Sequence, residues 1–255
     1  FFDTAIAEEH AVTFCAGLAT QGFLPVFAVY STFLQRSHGQ ILHDCAIEPK
    51  HVVFMIDRAG FVGDDGETHQ GLFDPAYLST IPGLRIFSPE SYDELRGCMD
   101  RALYQYTDRP VAVRYPRGEQ CCTHNLLGDG TQDFLLRSRG GMVLLVSYGR
   151  LCEEVMAAAD ALGADVLKLV CVRPISQQAI QAAMKYDAIY FFEEGVKQGG
   201  IGMQFLDQMY ESGYQGRIHV QAVDNQIAPQ GTLESLYRRY GLDRESICSL
   251  VNHGG

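Results

Sequence analysis

Short apolar runs that stop abruptly at turn residues alternate along the whole chain with stretches of helical periodicity, and this alternation constrains the fold more than any other feature. Pro25–Tyr30, Val52–Ile56, Leu84–Pro89, Val111–Tyr115, Met142–Val146, Asp165–Val172, Ala188–Phe192 and Ile218–Val220 read as strands. Between them, residues 5–21 carry an apolar stripe of Ala11, Cys15, Leu18 and Ala19 at helical spacing, closed by Gly22. Ser31 opens a second helical stretch. Ser91 with Glu94 three residues on forms a capping-box pattern before Leu95, Cys98, Met99, Ala102 and Leu103. Strands alternating with helices predict parallel β-α units. The expected fold is therefore α/β, in two domains, each a mostly parallel sheet sandwiched by helices. Residues 1–122 form the first domain, 123–137 a linker and 138–255 the second.

With 255 residues the chain is long enough for two ordinary domains. Its formal charge of -11 argues against a nucleic-acid partner held through phosphates. It does not exclude a small anionic substrate, since a few local arginines outweigh a distant net charge. No apolar run has the length needed to cross a bilayer, so no membrane partner is expected. The eight cysteines have neither C-x-x-C nor metal-ligand spacing and read as reduced core thiols of a cytoplasmic protein. The opening Phe1-Phe2-Asp3-Thr4, without methionine, suggests a truncated product or a piece of something longer.

One loop concentrates chemistry-bearing residues. After the Val52–Ile56 strand come glycines at 60, 63, 66 and 71, with Arg58, Asp64, Asp65, Glu67, Thr68 and His69 among them. Such a segment suits either a solvated turn or a site. In parallel sheets ligands gather at the carboxyl ends of strands. Tyr30, Arg58 and Arg117 each lie at or just past such an end, which favours one shared crevice. Glu8 and Glu9 fall in a first helical turn, where a carboxylate suits the helix dipole without further purpose.

Other patterns carry less. Gly128-Asp129-Gly130 has the opening of a diphosphate-and-metal signature but lacks its downstream asparagine, so a plain turn is expected. Gly199-Gly200-Ile201-Gly202 is an incomplete glycine-rich fingerprint, better read as close helix packing. His10, His43 and His124 read as surface or satisfied core histidines.

Five segments in order complete the picture: Ala5–Val12 (AIAEEHAV), Tyr30–Arg36 (YSTFLQR), Asp57–Gly60 (DRAG), Asp65–His69 (DGETH) and Arg114–Gly118 (RYPRG). Together they resemble the second half of the 1-deoxy-D-xylulose-5-phosphate synthase family of the transketolase superfamily. The resemblance covers essentially the whole chain and is strongest through Gly118. It implies a transketolase pyrimidine-binding domain followed by a transketolase C-terminal domain, working with thiamine diphosphate and Mg2+. The diphosphate and metal sites are expected on an N-terminal domain absent from this sequence, in the same or a separate chain, with no metal site in this one. The implied reaction joins pyruvate, with decarboxylation, to D-glyceraldehyde 3-phosphate, and a homodimer is expected.

Residue by residue, the resemblance implies Glu8 as the carboxyl that activates the cofactor through its aminopyrimidine, with Tyr30 and Phe33 lining the pyrimidine pocket. Arg58 and Arg117 match the arginines that hold the aldehyde's phosphate, a task suited to guanidinium groups. Asp65 and His69 match polar groups beside the reacting carbons. His38-Gly39, Asp64 and Glu67 depart from the usual pattern. The alternatives are half of a split transketolase, the β subunit of a 2-oxo-acid dehydrogenase, and a non-catalytic binding or regulatory subunit. The isolated chain is expected to be inactive.

Overall fold

The computed structural model describes residues 1–120, 122–224 and 226–254. Its strands are β1 (Val26–Tyr30), β2 (Val53–Asp57), β3 (Arg85–Phe87), β4 (Val111–Arg114), β5 (Phe134–Arg137), β6 (Val143–Tyr148), β7 (Asp165–Leu169), β8 (Cys171–Arg173), β9 (Ala188–Val196) and β10 (Arg217–Val223). They build two five-stranded sheets, ordered β1-β2-β4-β3-β8 and β10-β9-β6-β7-β5. All pairings are parallel except β3 with β8 and β5 with β7. Parallel strands covered by helices on both faces must be apolar throughout, which is why the runs at β2, β4 and β6 show no alternation. Val53, Phe54, Met55 and Ile56 are all buried.

The helices flank these sheets. Glu8–Thr20 begins three residues later than the periodicity suggests, so Glu8 itself opens the first turn. In the helix Tyr92–Asp100, Ser91 Oγ accepts the Glu94 N–H at 3.2 Å, as a capping serine does. The other half of the capping box is redirected. The Glu94 carboxylate accepts from the N–H groups of Glu90 and Gly128 and pairs with Lys168 Nζ at 2.7 Å.

Two expectations about the second half need correction. Phe134–Arg137, placed in the linker, is an edge strand, paired antiparallel to β7. Asp165–Val172, read as one strand, is two: β7 serves the second sheet, and β8 adds to the edge of the first. The run, apolar apart from Asp165 and Lys168, has no glycine or proline to mark the switch, so periodicity alone could not reveal it. The two halves are thus joined by main-chain pairing as well as by side chains. Lys168 from β7 is fully buried between Glu90 and Glu94 of the first half.

Candidate active site

Strand register decides which residues meet. Tyr30 pairs with Asp57 across β1 and β2, and Ile56 pairs with Arg114 across β2 and β4. The three carboxyl ends therefore finish level. Just past that row Arg58 takes φ +61, a left-handed conformation that costs a residue with a Cβ about 1–2 kcal/mol. Asp57 supports it twice, accepting the Arg58 backbone N–H at 2.6 Å and pairing with Nη1 at 2.5 Å. A strained, charged residue held by its neighbours at a strand end is where function is to be sought.

From there the chain makes a closed loop. Gly60 and Gly71 exchange backbone hydrogen bonds of 2.7 and 2.8 Å, pinching its neck. A Cβ on Gly71 would overlap the Arg58 carbonyl oxygen, so only glycine fits. Inside the loop, Asp65 spans the two sequence-predicted arginines. Its Oδ2 lies 3.3 Å from Arg58 Nε and its Oδ1 3.2 Å from Arg117 Nη1. One carboxylate thus sits between two cations, much as an anion would. His69 stands with its ring edge toward Phe33, centroids 5.2 Å apart, and 6.4 Å from Tyr30. Tyr30 and Phe33 stack at 5.8 Å.

Glu8 is 8 % exposed and accepts from Arg36 Nη1 at 2.8 Å. Arg36 in turn lies over the Phe33 ring, 4.9 Å from its centroid. The fold therefore brings all seven sequence-predicted site residues into one path of contacts, from Glu8 through Arg36 and Phe33 to His69 and Tyr30, then Arg58, Asp65 and Arg117. Of the departures, His38 contacts the Thr80 hydroxyl at 2.9 Å and packs edge-on to Tyr77.

Several supporting residues escaped the sequence reading. Ser31, Asp74 and Arg114 form a buried network beneath the crevice. Asp74 Oδ1 accepts from Ser31 Oγ at 2.9 Å, and Oδ2 from Arg114 Nε at 2.8 Å. The cost of burying this pair is offset only by such complete hydrogen bonding. Asp74 opens a short helix, Asp74–Leu78, with Pro75 in its first turn, a local signal that could have been read. Arg150 and Glu194 reach the loop from the second half, across a distance in sequence that carries no signal. Burial pulls the Arg150 guanidinium down, yet Glu194 and Tyr237 together more than offset it, so its pKa lies above the ordinary value. Arg58, Arg117 and Arg150 line one cavity of about 670 Å³ between the halves, with Tyr115 and Tyr237 on its walls.

The weaker patterns resolve locally. Gly200 and Gly202 allow close packing, and the Ile201 and Gly202 N–H groups donate to the buried Glu193 carboxylate at 2.9 Å each. Burial raises the Glu193 pKa in spite of these bonds. Gly130 packs on the helix Tyr92–Asp100, and Asp129 is occupied by Thr131. His124 is a satisfied core histidine. Its Nε2 meets Glu90 Oε1 at 2.7 Å and its Nδ1 accepts the Leu126 N–H. With Glu153 these could offer three ligand atoms to a metal. An Nδ1 that accepts a hydrogen bond leaves the proton on Nε2, the nitrogen that would have to bind.

A two-domain α/β fold of mostly parallel sheets thus gathers a carboxylate, two aromatic rings and two arginines near its strand ends. Residues 1–121 match the transketolase pyrimidine-binding domain and residues 133–247 the transketolase C-terminal domain, and the chain belongs to the transketolase superfamily. Within it, the sequence is similar to 1-deoxy-D-xylulose-5-phosphate synthases. It is 39% identical over 260 residues to that of Clostridium botulinum (strain Eklund 17B) and 40% identical over 262 residues to that of Clostridium beijerinckii. Each match covers 98% of this chain and 42% of the relative, so the chain spans about two-fifths of their length. Two solved structures share the fold. A split-gene transketolase, described as an inactive β4 tetramer, superposes with a TM-score of 0.85 at 21% identity over 99% of this chain and 83% of that one. Transketolase from Campylobacter jejuni gives 0.78 at 16% identity, over 96% and 38%.

Proposed function

We propose that the chain is the pyrimidine-binding and C-terminal part of a 1-deoxy-D-xylulose-5-phosphate synthase, with domains at 1–122 and 138–255, the latter extended by the edge strand Phe134–Arg137. The observation that carries this is the contact path from Glu8 to Arg117, which joins a cofactor wall to a phosphate clamp. When bound, thiamine diphosphate would supply a carbanion equivalent that attacks the aldehyde. The residues fit its aminopyrimidine. Glu8 offers a sheltered carboxyl at a helix start, and Tyr30 and Phe33 offer aromatic faces. The Gly128–Gly130 turn does not fit the diphosphate and Mg2+, because its groups are used in packing and local hydrogen bonds. Those sites would lie on a separate N-terminal domain, in the same or another chain.

Glu8 would hold the aminopyrimidine by a hydrogen bond to its ring nitrogen and so tune its basicity. Arg58 and Arg117 take the phosphate of D-glyceraldehyde 3-phosphate as Asp65 gives way. Asp65 and His69 orient the aldehyde and handle its proton. Pyruvate enters as the donor, and a homodimer completes the assembly.

The test pairs the chain with a diphosphate-binding domain, supplied as the part of a clostridial relative that this chain does not match. The pair, with thiamine diphosphate and Mg2+, should convert pyruvate and D-glyceraldehyde 3-phosphate into 1-deoxy-D-xylulose 5-phosphate and CO2. The chain alone should not. Glu8→Gln should abolish turnover. Activity of the lone chain, or a pair indifferent to Glu8→Gln, would overturn the reading.

A further inference from the structure

The two arginines of the proposed phosphate clamp follow different strands, and within the first half their segments meet where the Ala59 N–H donates to the Tyr115 carbonyl at 3.0 Å, Arg117 Nη1 donates to the Val62 carbonyl at 3.3 Å, and Asp65 pairs with both arginines. The C-terminal half adds a brace to both segments through one ion pair. Arg150 and Glu194 meet twice, Nη2 to Oε1 at 2.5 Å and Nε to Oε2 at 3.1 Å. Glu194 Oε1 also accepts the Phe61 N–H at 2.7 Å, while Arg150 Nη2 donates to the Phe61 carbonyl. Both peptide groups of Phe61, three residues after Arg58, are thereby held. The remaining arm, Arg150 Nη1, donates to the carbonyl of Arg117 itself at 3.3 Å. Tyr237 closes the set with a hydroxyl 3.2 Å from Glu194 Oε2. Gly60 lets the loop lie against this pair, since any Cβ there would overlap the Glu194 carboxylate.

We propose that Arg150 and Glu194 are positioning residues that fix the separation of Arg58 and Arg117 and so set the affinity of the site for a phosphate group. A guanidinium bound bidentately to a carboxylate is a stiff unit with directional donors left over. This one spends those donors on the two backbone segments that carry the clamp. A phosphate held by two arginines needs both at the correct distance, and a clamp without its brace must find that distance at an entropic cost. The inference rests on the reading of Arg58 and Arg117 as the phosphate site.

The experiment titrates the full 255-residue chain with inorganic phosphate, followed by 31P NMR, for wild type, Arg58→Ala, Arg150→Ala and Glu194→Gln. Arg58→Ala removes a contact. The other two leave both clamp arginines in place, and Glu194→Gln keeps the shape while deleting the charge. Arg150→Ala and Glu194→Gln should each weaken phosphate binding about tenfold, as loss of an outer-layer partner does in metal sites. Added methylguanidinium should restore binding to Arg150→Ala, a rescue that a mere loss of folding would not permit. If Arg58→Ala weakens binding while Arg150→Ala and Glu194→Gln bind as wild type does, the positioning role is overturned and the phosphate reading stands. If wild type does not bind phosphate saturably, or Arg58→Ala binds equally well, the phosphate reading itself falls.

Discussion

The guanidinium carbon of Arg58 stands 3.7 Å from the centroid of the Tyr30 ring. A cation at that height over an aromatic face gains from about 0.5 kcal/mol when exposed to about 2 kcal/mol when desolvated. The contact also explains how a left-handed arginine keeps one orientation. Tyr30→Phe should leave phosphate affinity near that of wild type, because the ring face survives. Tyr30→Ala should weaken it by about fivefold, equivalent to roughly 1 kcal/mol. Parallel phosphate titrations of the two variants check this, and equal losses would deny the ring its role.

Gly71 has no room for a side chain because the Arg58 carbonyl oxygen occupies it. Gly71→Ala should cost about 1–3 kcal/mol by forcing the neck of the loop apart. Gly66, at φ +85 with open space around it, makes the control. Gly66→Ala should cost only about 1 kcal/mol of backbone strain. Urea denaturation of both variants would rank them, and the reverse order would refute the steric account.

Asp74 and Arg114 are buried together, at 0 % and 3 % side-chain exposure. Asp74→Ala strands a guanidinium in the interior and should destabilise the protein by about 3–5 kcal/mol. Calorimetry on the single variant and on Asp74→Ala with Arg114→Met would separate pairing from packing. The double variant should be the more stable of the two.

Asp165 supplies a pH test. Burial pushes its pKa up, but N–H groups of Arg139 and Gly141 and the hydroxyls of Ser138 and Tyr186 bind the carboxylate and hold it below the ordinary 3.8. A depressed folded-state pKa contributes stability that is present above the unfolded value and lost as pH falls through the folded one. Melting curves between neutral pH and about pH 3 should show the wild-type advantage over Asp165→Asn shrinking below about pH 4. An advantage that grew on acidification would contradict the hydrogen-bond account.

The core thiols should be inert. Burial pushes Cys45 and Cys98 each up to about 12, with too little thiolate at neutral pH to react. Their alkylation should wait on unfolding, as a mass-resolved labelling time course would show.

Much of the site was legible because its residues lie close to strand ends. Tyr30, Arg58 and Arg117 announce themselves by following apolar runs, and the glycines around them mark a loop that cannot be ordinary helix or strand. Phe33, Asp65, His69 and Glu8 required the motif resemblance, since a lone carboxylate in a first helical turn has a sufficient dull explanation. Asp74, Arg114, Arg150 and Glu194 stayed hidden. A buried polar residue inside an apolar run looks like an interruption until its partner is known, and these partners are separated by up to 44 residues.

The sequence by itself determined the alternation of strands and helices, the two-domain α/β class and the loop at which polar chemistry collects. These follow from periodicity and turn chemistry, which act between near neighbours. Only the tertiary structure decided that β8 leaves its own domain to extend the first sheet, that Asp65 lies between Arg58 and Arg117, and that the C-terminal half braces the loop through Arg150 and Glu194. Those depend on register and on buried charges finding counter-charges, interactions whose energy exists only once distant segments have excluded water from between them.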